Sequence, residues 1–150
     1  GRVAVGERVV IVGGGSCGAE TADFLAARGK KAIVVEMLDL LCQDMLPDAR
    51  YFLLERLEQA GVQILTSTTV KAIGDRSVTV ARKKPGLDLE WTAVLDEVDT
   101  VVLAVGAQSN RELAEELGGL GLPIHAIGDC VQPGFAIDAI YQGARIARQI

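Results

Sequence analysis

The chain has 150 residues, about the size of one ordinary domain, and is 49% apolar but only 4% aromatic. Its core must therefore be built from Val, Ile, Leu and Ala, a balance that suits parallel strands covered by Ala-rich helices. A formal net charge of −5 argues against nucleic acid as a partner, because phosphate contacts need clustered Lys and Arg. No apolar run approaches the roughly 20 residues of a membrane span, and no secretory leader precedes the first strand pattern.

In chain order, Val9-Val10-Ile11-Val12 is a short apolar run that ends in glycines and reads as a buried strand. Residues 19–28 follow with Ala19, Ala22, Leu25 and Ala26 at helical spacing, and Gly29 closes the helix. Ala32-Ile33-Val34-Val35 is a second buried strand with Glu36 at its end, so a complete strand–helix–strand unit is predicted, its two strands parallel. Pro47 suits the first turn of a helix that runs to about Ala60, with Leu53, Leu54 and Leu57 on one face. Gly61 ends it, and Val62-Gln63-Ile64-Leu65 gives a third strand.

From residue 68 to residue 94 the period changes to two. Val70/Ala72, Val78/Val80 and Leu87/Leu89/Trp91 alternate with polar residues, and Gly74-Asp75 and Pro85-Gly86 mark turns. This predicts a three-stranded antiparallel meander, with Arg82-Lys83-Lys84 as a solvated basic turn. Parallel-type strands resume at Val101–Val105 and at Ile124-His125-Ala126-Ile127, and a last helix covers about residues 136–148. The fold class is α/β: a Rossmann-like parallel sheet with flanking helices and a β-meander. The Ile124 strand is expected to complete a five-stranded sheet, with His125 as an ordinary strand residue. The segment 109–122 is the one plausible seam.

Cys17, Cys42 and Cys130 form no CxxC pair, so neither a zinc knuckle nor a thioredoxin-like couple is encoded, and no metal site is predicted. Scattered thiols suit a reducing cytoplasm. Cys17 would sit at a helix N-terminus, where the dipole lowers a thiol pKa.

Gly13-Gly14-Gly15-Ser16-Cys17-Gly18 follows a buried strand, opens a helix and precedes an acidic strand end, the context in which a glycine motif becomes specific for a dinucleotide. Gly13 allows the tight turn, Gly15 lets backbone approach a pyrophosphate, and Gly18 lets the helix lie close to the strand. The free N–H groups and dipole of the helix start then stabilise the anion. Glu36 can accept both ribose hydroxyls of an adenosine, and its charge would repel a 2′-phosphate. No Lys or Arg follows it until Arg50, so NAD(H) is expected rather than NADP(H).

Gly13 to Ala22, Val34-Val35-Glu36, Val101 to Asn110 and Ile124 to Asp129-Cys130 resemble the C-terminal part of an NADH:flavin oxidoreductase of the old-yellow-enzyme-like group. That group includes 2,4-dienoyl-CoA reductase, enoate reductases and trimethylamine dehydrogenase. The resemblance covers nearly all of the chain and implies a set of expectations. Glu20 marks the NAD(P)H-binding type of domain and lies near the nicotinamide; a helix-surface carboxylate is the alternative. Gly106, Gly128 and Asp129 would belong to the cofactor-binding set, Asp129 meeting the flavin; the alternative is a carboxylate that caps the following turn. Residues 1–108 would be the NAD(H)-binding domain, with its meander at about 68–94, and 109–150 the returning end of the FAD-binding domain. The partners would be NADH and flavin-bearing upstream domains of the same polypeptide, with FMN and an iron–sulfur cluster elsewhere in it. The chain would then be an inactive fragment of a cytoplasmic enzyme, without catalytic residues of its own, that passes a hydride from NADH to FAD and electrons to a further centre. Two readings stay open beside it: FAD in the Gly13 loop as an electron-transfer domain, and a non-catalytic dinucleotide-binding module.

Overall fold

The computed structural model describes residues 3–83 and 90–150. The chain divides into two compact units between Val105 and Gly106. The first begins with β1 (Arg8–Val12), α1 (Ser16–Ala26), β2 (Lys31–Val35), α2 (Pro47–Gln59) and β3 (Gln63–Leu65). It continues with β4 (Thr68–Ile73), β5 (Ser77–Lys83), β6 (Glu90–Asp96) and β7 (Thr100–Leu103).

Four of these strands form a parallel sheet in the order β3-β2-β1-β7. Successive strand residues point to opposite faces, so β1 divides its apolar run between two cores. Val9 and Ile11 join Ala32 and Val34 under α1 and α2, packed on Ala19, Ala22, Leu25, Leu53 and Leu57. Val10, Ile33 and Val35 face the other way, onto Val78, Val80 and Val98. Both faces are covered, which is why these strands read as continuous apolar runs. Each Val, Ile or Leu among them, fully buried, contributes about 1.5–3 kcal/mol.

The second face is covered by the antiparallel sheet β4-β5-β6, which forms the connection from β3 to β7. The simple Val70/Ala72 alternation fails there. The register shifts between these residues, with Val70 opposite Val80 but Ala72 opposite Thr79, so Lys71 is the extra residue of a bulge and Ala72 turns out to solvent. Pro85, Gly86, Leu87 and Leu89, and Lys84 of the basic turn, lie outside the described residues.

The helices end as their glycines require. Gly29 and Gly61 adopt φ of 78° and 70°, the left-handed conformation that closes a helix, and Pro47 opens α2. α1 starts three residues before the expected Ala19.

The second unit contains α3 (Glu112–Gly118), a 3₁₀ turn at Gly128–Cys130 and α4 (Ala136–Ile146). Residues 123–127 form no strand, and the parallel sheet has four strands rather than five. A strand persists only where its N–H and C=O groups find a ladder, and no strand occurs among the described residues of this unit. His125 is therefore an exposed residue of an irregular segment and not a buried strand residue.

Candidate functional site

The carboxyl ends of β1, β2 and β7 converge, and there a groove of about 460 Å³ opens, within the usual range for a small-molecule site. Gly13 and Gly15 line it from the turn after β1, Glu36, Met37 and Leu38 from the end of β2, and Ala104 and Val105 from the end of β7. Thr68, Thr69 and Val70 supply the remaining wall. In α/β sheets ligands bind outside the carboxyl ends of the strands, as this groove lies.

The glycines of the turn do different work. Gly13 has φ +105°, and a Cβ there would run into the Ala104 carbonyl. A Cβ on Gly18 would strike the Gly13 carbonyl, so this glycine allows α1 to start against the turn. At Gly14 it would crowd the Glu36 and Leu41 side chains, at 2.9 and 3.0 Å. Gly15 alone of the four has room: the nearest atom to its Cβ position is a carboxylate oxygen of Asp44 at 3.6 Å.

Glu36 is 7% exposed. Its Oε2 accepts the Gly14 N–H and its Oε1 accepts the Leu38 N–H at 2.7 Å, which satisfies a charge that burial would otherwise penalise. An ionised carboxylate has about four acceptor positions, so two bonds leave capacity for two hydroxyl donors. Thr68 holds the same corner, its N–H donating to the Glu36 carbonyl at 2.8 Å.

Gly13, Gly15 and Glu36 thus meet in one groove, whereas Ser16, Cys17 and Glu20 line a separate, shallow depression with Thr21, Phe24 and Val102. Glu20 and Cys17 are exposed on α1. Gly106 is exposed, with φ +106° and open space around it. In the second unit, Gly128 is buried and donates its N–H to Gln142 Oε1 at 2.7 Å. Asp129 is exposed and accepts the Gly134 N–H at 3.3 Å, which ties the 3₁₀ turn to the approach of α4.

Asp44 is a neighbour of the loop that the sequence pattern does not reveal. It accepts the Ser16 N–H at 3.0 Å through Oδ1 and the Ser16 hydroxyl at 2.6 Å through Oδ2. Gly15, the N-cap residue of α1, has no side chain to cap the helix, and Asp44 supplies the missing acceptor from 28 residues away. This explains why α1 begins at Ser16. The Ser16 hydroxyl, foremost, holds the Asp44 carboxyl below its ordinary range. Beside it, burial and then the Asp44 charge push the Cys42 thiol up to about 11.

A family model described as pyridine nucleotide-disulphide oxidoreductase matches residues 2–123. An NADH oxidase of Thermoanaerobacter brockii is 34% identical over 145 residues, which is 96% of this chain and 21% of the relative. A bilirubin reductase of Mediterraneibacter gnavus is 34% identical over 143 residues, 95% of this chain and 21% of that protein. A structure of 2-naphthoyl-CoA reductase superposes with a TM-score of 0.84 at 25% identity, covering 99% of this chain and 22% of the other. The chain therefore spans about a fifth of the length of these relatives. The turn–strand–groove arrangement and the matched residues agree: the chain belongs to the pyridine nucleotide-disulphide oxidoreductase family.

Proposed function

We propose that the groove binds NADH, with the adenosine ribose hydroxyls on Glu36 and the pyrophosphate on the Gly13–Gly18 turn. The observation that carries this reading is Glu36 itself: a buried carboxylate on the groove wall, held by two backbone N–H groups and with acceptor capacity remaining. Gly15 supports it, since no protein atom forbids a side chain there, whereas Gly13, Gly14 and Gly18 are glycines for packing reasons.

The chain is on this reading the NADH-docking part of a flavin-dependent oxidoreductase of the old-yellow-enzyme-like group, a likeness supported by the NADH oxidase and 2-naphthoyl-CoA reductase matches. Bound NADH would supply a hydride to FAD, and electrons would pass to a further centre; FMN and an iron–sulfur cluster belong to the remainder of such a polypeptide. Ser16, Cys17, Gly18 and Gly14 complete the phosphate turn, Glu20 lies towards the nicotinamide, Gly106 belongs to the cofactor-binding set, and Gly128 and Asp129 serve the flavin side. Residues 1–108 would form the NAD(H) domain and 109–150 the returning segment of the FAD domain. The unpaired thiols of Cys17, Cys42 and Cys130 favour a reducing compartment, the cytoplasm.

Isothermal titration with NADH and NADPH tests the reading. NADH should bind tighter, and Glu36→Gln should weaken it by roughly 1.5–3 kcal/mol, the worth of a hydrogen bond to a charged group. NADPH binding as tight as NADH, or a Glu36→Gln protein with unchanged affinity, would sink it.

A further inference from the structure

Asp44 stands where a second anion would have to sit. Its carboxylate holds the Ser16 N–H, the first free amide of α1, and both oxygens lie within hydrogen-bond range of that nitrogen at 3.0 and 3.1 Å. The same oxygens are 3.6 and 3.8 Å from the Cβ position of Gly15, the side on which the open glycine leaves room. A pyrophosphate on this turn seeks the same amide and the same space.

The carboxylate is presented by an anchored segment. The Cys42 N–H donates to the Gly14 carbonyl at 2.8 Å, Cys42 itself holds φ +54°, and Arg50 Nε donates to the Leu41 carbonyl at 2.7 Å. Among the described residues no Lys or Arg forms an ion pair with Asp44, so its charge is met by hydrogen-bond donors alone, the Ser16 hydroxyl and N–H and its own backbone N–H.

We propose that Asp44 is a resident anion that competes with the dinucleotide pyrophosphate for the Ser16 amide and thereby sets the affinity of the loop for diphosphate ligands. The inference rests on the NADH reading of the groove. On binding, the Ser16 N–H exchanges a carboxylate acceptor for a phosphoryl oxygen, and the displaced Asp44 carboxylate remains a like charge beside the turn. Affinity is lost to the displaced bond and to like-charge repulsion, and the gain is a helix end that stays capped by the protein's own side chain.

The test is titration of NADH, inorganic pyrophosphate and adenosine into the wild-type protein, Asp44→Asn, Asp44→Ala and Gly15→Val. Asparagine keeps an acceptor for the helix cap, so the folded state is retained while the charge goes. Both Asp44 variants should bind NADH and pyrophosphate roughly fivefold tighter, the effect of removing one like charge about 4 Å away in a water-like medium. Adenosine, which carries no phosphate, should bind unchanged. Unchanged or weaker NADH and pyrophosphate binding by Asp44→Asn, with binding lost in Gly15→Val, overturns the role of Asp44 and leaves the phosphate turn standing. NADH binding that survives in Gly15→Val overturns the phosphate-turn reading, and this proposal with it.

Discussion

The two units of the chain use apolar residues in opposite ways. In the first, Val9, Val10, Ile11, Ala19, Ala22, Val34 and Leu57 are fully buried, because a sheet with one layer on each face removes both sides of its central strands β1 and β2 from water. In the second, α3 and α4 have no buried residue, and Phe135, Ile137, Ile140 and Tyr141 all stand more than half exposed. Only 45 residues make up that unit, too few to enclose a core of their own. The lesson is that an apolar residue contributes to stability where a second layer meets it, and that local pattern does not supply the layer.

The largest expected effect sharpens that contrast from the buried side. Leu57→Ala removes a side chain with no exposure from beneath the sheet, and should lower the unfolding free energy by about 2–5 kcal/mol in chemical denaturation. A loss below 1 kcal/mol would mean that the first unit's core is not what holds it.

A smaller effect is expected at Asp129, whose carboxylate accepts the Gly134 N–H. Loss of such a cap in Asp129→Ala should reduce stability by about 0.5–2 kcal/mol. The flavin role proposed for Asp129 makes a separate demand: in a flavin-loaded polypeptide that carries this chain, FAD content should also fall, and undiminished FAD would remove Asp129 from that site.

The smallest effect belongs to the exposed face. Ile140→Ser should change stability by no more than about 0.5 kcal/mol, as surface substitutions do. A loss in the same denaturation assay that matches Leu57→Ala would break the comparison, since it would show this face of α4 to be covered.

Much of the framework of the candidate site was legible in the residues. Gly13, Gly15 and Gly18 could be placed at a strand–helix turn, and Glu36 at the next strand end, because each follows from a short apolar run and its stop signal. The same local logic misled at residues 124–127. Ile124 to Ile127 has strand composition, yet composition cannot provide the neighbouring strand whose N–H and C=O groups must be paired. It also missed the bulge at Lys71, which depends on how β4 meets β5 rather than on β4 alone.

By itself the sequence determined the parallel strand–helix–strand unit, the meander, the glycine turn and the acidic residue beyond β2, since periodicity and backbone conformation are properties of neighbouring residues. Only the tertiary structure decided which glycines are packed shut and which one is open, for that depends on Ala104, Glu36 and Asp44 brought in from elsewhere in the chain. It decided also that Asp44, rather than any residue of the turn, caps α1. A hydrogen bond across 28 residues is a matter of where two segments end in space, and no repeat in the sequence records it.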